Sequence, residues 1–92
     1  MATSTIKKTI ASVRFYAIPS TTLNAVSIKN FDTGIKPLGL RWCVLGSSLG
    51  FFHLGNFWYD TDTQSIHITI VNPTNITLTT DSWANVRIID FD

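Results

Sequence analysis

Glutamate is absent from this chain, and glutamine and methionine occur once each. Unbranched side chains of this kind lose little rotamer freedom on a helix, so their scarcity argues against helical bundles, coiled coils and Rossmann-type folds. Cysteine occurs once, at Cys43, which excludes an internal disulfide and a cysteine-cluster zinc site. Charged residues make up 14% of the chain and the formal net charge is +1, far from the basic excess expected of a nucleic-acid binder. No apolar run reaches the roughly 18 residues that a membrane helix needs, so no membrane insertion is expected. Nor does an apolar stretch follow Lys7 and Lys8 to make a secretory signal.

What is present favours strands. Thirteen Thr, eleven Ile and five Val stand among 92 residues, and such branched side chains fit a pleated sheet better than a helix. At 45% hydrophobic residues the chain is too apolar for a disordered segment, and its length suits one core. Charge is uneven along it. Residues 1–46 hold Lys7, Lys8, Arg14, Lys29, Lys36 and Arg41 against Asp32, while residues 47–92 hold Arg87 against five Asp. A split of that kind suits copies packing head to tail or around a ring.

Period-two alternation recurs from end to end and predicts about seven or eight short strands. In the first, Ile6 and Ile10 share one parity and Val13, Phe15 and Ala17 the other, so the inward face switches near Ala11 or Ser12, at a bulge or at the step from a stalk to the domain. This divides the chain into an N-terminal segment or stalk junction, 1–12, and a head, 13–92. A second strand places Val26 and Ile28 on one face and ends at Asp32-Thr-Gly34, where glycine can take positive φ. After the break Lys36-Pro37-Leu38-Gly39, Leu40, Trp42 and Val44 alternate with Arg41, Cys43 and Leu45, which suggests that both faces are covered. Ser65–Val71 alternates most cleanly, with Ile66, Ile68 and Ile70 toward a core, and a last strand runs from Trp83 to Phe91. Turn signals every 8–12 residues mark a sandwich or a small barrel, and the fold expected is a small antiparallel β-sandwich of jelly-roll or knob-like build.

Reactive chemistry is sparse. A catalytic nucleophile needs an imidazole beside it, and only His53 and His67 supply one, neither near a Gly-x-Ser-x-Gly elbow. Asp60 and Asp62 lie two apart on Asp60-Thr-Asp-Thr63, a turn by composition. With Asn56 they offer oxygens to a hard cation, but no glycine-spaced loop or distal glutamate completes a calcium site. The reading is a chain that is not an enzyme, with no cofactor and no metal.

Aromatic residues stand out instead. Trp42, Phe51, Phe52, Phe57, Trp58 and Tyr59, six of the eleven aromatics, fall between residues 42 and 59. A domain of this size hides only about 60–70% of its unfolded surface, so some rings are expected outside the intrachain core. Adjacent strand residues point to opposite faces, so one member of Phe51-Phe52 and one of Trp58-Tyr59 must leave it. Phe51, Phe52, Phe57 and Trp42 are expected at an interface between copies. Trp58, Tyr59, Asp60 and Asp62, with Trp83 beside Asp81, have the rings and oxygens that bind a sugar, stacking on its faces and bonding its hydroxyls.

Three stretches, Trp42-Cys-Val-Leu-Gly46, Asn56-Phe-Trp-Tyr-Asp-Thr-Asp-Thr-Gln-Ser-Ile-His-Ile-Thr-Ile-Val-Asn-Pro-Thr74 and Ser82-Trp-Ala-Asn-Val-Arg-Ile-Ile-Asp-Phe91, together resemble the C-terminal head domains of bacteriophage tail fibres and receptor-binding proteins. The likeness lies in Thr/Asn-rich turns, Ile/Thr alternation and a last strand near the chain end, over most of residues 13–92. It implies a homotrimer at the tip of a fibre in the virion that attaches to a host-surface glycan or protein, and it assigns no contact residues. A structural virion module that decorates or stabilises a capsid or tail, and a monomeric lectin-like module, are the rival expectations.

Overall fold

The structure, a computed structural model, describes residues 10–91. Eight antiparallel strands make up its regular structure: β1 (Ile10–Ala17), β2 (Thr22–Leu23), β3 (Ser27–Asp32), β4 (Trp42–Gly46), β5 (His53–Asp60), β6 (Ser65–Asn72), β7 (Leu78–Thr79) and β8 (Asn85–Phe91). Among the described residues there is no helix, and so none that is long and apolar enough to cross a membrane. Two three-stranded sheets, β1-β8-β4 and β3-β6-β5, face each other in a sandwich-like arrangement, and β2 and β7 form a short ladder. First strand pairs with last, second with seventh and third with sixth.

The central strand of each sheet supplies the core. Ile66, Ile68 and Ile70 of β6 meet Val86 and Ile88 of β8, all five with no exposed surface. Burying each such side chain is worth about 1.5–3 kcal/mol. Ile68 sits directly between Phe31 and Phe57 in the register of its sheet. The alternation seen in Ser65–Val71 is therefore realised as expected.

The expected turns form for local reasons. The Asp32 carboxylate accepts the Gly34 N–H at 2.8 Å, and Gly34 takes φ 69°. At the β5–β6 turn Asp60 accepts the Asp62 N–H at 2.8 Å, the Asx geometry that short acidic side chains favour. Val26 is less usual: it lies outside any strand at φ 51° with its side chain in solvent. Ile28 is also exposed, so the expected apolar face of Val26 and Ile28 is not a core face; Leu23 and Phe31 fill that role.

β1 corrects a second expectation. Its ladder with β8 shifts register between Ile10 and Ser12, where the parity switch was expected. Beyond the shift, however, Val13, Phe15 and Ala17 are exposed, and Ser12, Arg14 and Tyr16 turn inward. Arg14 is drawn in by Asp90 of β8, a 1%-exposed carboxylate that it meets at 2.8 Å. Residues 10–12 belong to β1, and the rest of the expected 1–12 segment lies outside the described residues.

A bulge in β5 sets the rings of that strand. Leu54 pairs with Ile70 and Phe57 with Ile68, so Gly55 and Asn56 together oppose Thr69. A Cβ on Gly55 would fall 2.6 Å from Thr69 Oγ1 and 2.9 Å from Val71 Cγ2, so only glycine fits this approach. The extra residue returns Phe57 and Tyr59 to the face of Leu54 and sends Trp58 to the other.

Candidate functional site

Strand β4 of one sheet faces β5 of the other with opposite sense, the Trp42 ring lying 5.5 Å from that of Phe57 and Gly46 lying beside Leu54. Where β4 begins and β5 ends, a recess of about 330 Å³ opens to solvent, lined by Lys36, Pro37, Gly39, Leu40, Trp42 and Tyr59. The lining is mostly apolar, and Lys36 is its one charged side chain.

Buried polar groups behind the recess hold its loop, residues 33–41. Asp90 accepts the Leu38 N–H through Oδ1 at 2.8 Å and the Arg14 guanidinium through Oδ2 at 2.8 Å. The same Arg14 nitrogen donates to the Lys36 carbonyl at 2.8 Å. Ile66 N–H donates to the Ile35 carbonyl and Phe91 N–H to the Arg41 carbonyl, each at 2.9 Å. The loop is thus tied to both central strands, which keeps the recess formed without a ligand. Its polar side chains, Lys36, Trp42 and Tyr59, can each donate a hydrogen bond to a bound group.

On the opposite face of β5 a polar cluster gathers around His67. Its Nε2 is 2.9 Å from Thr63 Oγ1, 3.6 Å from Asp60 Oδ2 and 3.8 Å from Asp32 Oδ1. Thr63 Oγ1 shares a hydrogen bond of 2.8 Å with Ser65 Oγ, which donates its proton to Asp32 at 2.5 Å. Trp58 covers the imidazole at 5.6 Å between centroids, and the buried Nδ1 has no partner among the described residues. The residue types are those of hydrolytic sites. The bonding is different: buried Ser65 serves Asp32 and not the imidazole, so the cluster stitches the end of β3 to the β5–β6 turn. The Ser65 bond, with the Gly34 N–H and the nearby imidazole, holds the Asp32 carboxyl below its ordinary range. Tyr16, turned inward on β1, is shifted upward by burial and by the Asp32 charge. Among the described residues no group of three or more His, Cys, Asp or Glu is placed to hold a metal.

The residues expected to bind a ligand scatter. Tyr59, 41% exposed, lines the recess. Trp58, Asp60 and Asp62 lie on the His67 face or at the β5–β6 turn. Trp83 is exposed at the other end of the domain, in the β7–β8 loop, about 15 Å away by the length of β4. There its neighbour Ala84 donates to the Asp81 carbonyl at 3.1 Å, and Asp81 Oδ2 approaches Gly50.

The residues expected at an interface scatter as well. Phe52 is 7% exposed and packs in the chain's own core, whereas Phe51 stands out at 74%. The pair divides as expected, though on a turn and not in a strand. Trp42 and Phe57 are half-buried against the core, and Trp42 also walls the recess.

An apolar face appears elsewhere instead. On the outside of β1-β8-β4, Val13, Ile89 and Cys43 form one row and Phe15, Arg87 and Leu45 the next. Phe15 is 59% exposed, and Val13 and Leu45 are also exposed. The expectation that both faces of β4 are covered therefore fails on this side. The Arg87 guanidinium, 5.5 Å from the Phe15 ring, is the only charge in those rows.

Sequence reasoning also missed Lys36, Pro37 and Gly39, read as a break between strands, and Leu40, read as opening the covered strand that follows but standing fully exposed ahead of it. The available signal was an apolar residue, Leu40, directly after Pro37-Leu38-Gly39. Comparison with family models, curated proteins and solved structures finds no match to the chain.

Proposed function

We propose that this domain is a non-enzymatic binding head, one of three copies at the tip of a viral fibre, that attaches to a host-surface glycan. The observation that carries the reading is the recess: an open, preformed hollow walled by Trp42 of β4 and Tyr59 of β5 and completed by a loop that buried polar groups fasten. Rings whose bodies are apolar and whose tips are polar are suited to sugars, which present both kinds of surface. The fibre setting rests on the resemblance of the Asn56–Thr74 and Ser82–Phe91 stretches. Three weak sites on one tip gain by avidity even where each alone is only millimolar.

The exposed apolar side chains on the outside of β1-β8-β4, Val13, Phe15 and Leu45, favour burial against another chain. A sister copy there fits the head. A different virion protein there fits the second reading, a structural virion module.

Size-exclusion chromatography with light scattering and a glycan-binding assay separate the two. A trimer that binds immobilised glycans, with Tyr59→Ala folded but no longer binding, supports the head. A chain that binds no glycan but co-assembles with a virion protein, and loses that assembly in Phe15→Asp, supports the structural module.

A further inference from the structure

Building on the reading of the recess as a sugar site, we infer that its ligand is an anionic saccharide, bearing a carboxylate or a sulfate. Among the six lining residues Lys36 is the one charge and there is no acid. The polar side-chain groups of the lining are an ammonium, an indole N–H and a phenol. An ammonium and an indole donate hydrogen bonds and accept none, and a phenol can donate. That set matches a group that only accepts, as a carboxylate or sulfate does, and charge assistance strengthens such bonds. A neutral sugar also needs acceptors for its hydroxyl protons, and among the side chains of this lining only the phenol oxygen is one.

The surrounding charges point the same way. Lys36 Nζ makes no ion pair among the described residues, its polar neighbour being the neutral Gln64 Oε1 at 3.4 Å. Three acids packed around the loop and the β5–β6 turn are already engaged. Asp90 is occupied by Arg14 and Leu38 N–H, Asp60 faces His67 and the Asp62 amide, and Asp32 is bonded by Ser65 and Gly34. A cation with no ion pair among the described residues thus stands at the edge of a ring-walled hollow, while Asp32, Asp60 and Asp90 are held elsewhere.

The test uses the whole chain and three oligosaccharide probes sharing one backbone, neutral, uronic-acid-bearing and sulfated, at low and at physiological salt. The acidic probes are expected to bind at least about threefold tighter than the neutral one, the scale of a solvated ion pair. Added salt should erode that margin. Lys36→Ala should reduce acidic-probe binding to the neutral level and Lys36→Arg should restore it, while Tyr59→Ala should abolish binding of all three. Preference for the uronic acid over the sulfate, or the reverse, assigns the anion. Equal binding of neutral and acidic probes, lost in Tyr59→Ala but untouched by Lys36→Ala, overturns this inference and leaves the sugar site standing. If no probe binds, both fall.

Discussion

Asp90 is the buried carboxylate that ties β1 and the loop of the recess to β8. Its side chain is 1% exposed and joins strand β1, through Arg14, to the loop at Leu38. Removing one member of a buried ion pair typically costs about 3–5 kcal/mol. In Asp90→Ala the stranded partner, Arg14, is 31% exposed and regains part of its hydration, so the expected loss is about 2–4 kcal/mol. In Arg14→Met the stranded partner is the buried carboxylate, left with the Leu38 amide, and the loss should reach about 3–5 kcal/mol. An Arg14→Met/Asp90→Ala double variant removes both charges, and its cost should fall short of the sum of the single changes by about 1–3 kcal/mol. Urea denaturation at constant m-value measures all of these. Hydrogen exchange adds a local readout: the Leu38 amide should lose protection in Asp90→Ala and keep much of it in Asp90→Asn, which retains an acceptor. Simple additivity of the two substitutions, or an Asp90→Ala variant within about 0.5 kcal/mol of the parent, would refute the argument that this pair fastens the recess.

Three further expectations are smaller in scope. Ile68→Ala, which empties the place between Phe31 and Phe57, should cost about 2–5 kcal/mol; unfolding at the parent temperature would show the register of β6 to be wrong. Val26→Gly should stabilise by about 0.5–1 kcal/mol, because relief of a left-handed backbone at an exposed valine outweighs the added freedom of the unfolded chain, and a lower denaturation midpoint would contradict this. Asp32 titrates below its ordinary value because Ser65, Gly34 and the imidazole favour its charged form. Its stabilisation is therefore full above the unfolded-state pKa and fades as pH falls through the depressed one, below about pH 4. Denaturation from pH 2 to 7 should show a shallower acid loss in Asp32→Asn, and a parallel profile would remove Asp32 from the account.

The residues that folded as read are those whose information is local. Branched side chains in period two are enough for an all-β chain and for the inward face of Ile66, Ile68 and Ile70, because alternation follows from strand geometry whatever lies opposite. The turns at Asp32–Gly34 and Asp60–Asp62 were legible for the same reason, since a carboxylate reaches an amide two residues on. Tyr59 was legible as an exposed ring, and its neighbour Trp58 was equally plausible. The bulge at Gly55 decided between them, and that bulge answers to Thr69 across the ladder.

The inward face of β1 could not be read from β1. Hydropathy favours Val13 and Phe15, yet Arg14 is turned inward by a carboxylate 76 residues away. The charge split along the chain likewise does not survive as two lobes, since basic-half strands β1 and β3 pair with acidic-half strands β8 and β6. Composition and alternation by themselves determined that this protein is built of short antiparallel strands around an isoleucine-rich centre. Only the tertiary structure decided which rings remain in solvent and that Lys36 joins Trp42 and Tyr59 around one recess, because those outcomes depend on pairings between residues far apart in sequence, to which local periodicity is blind.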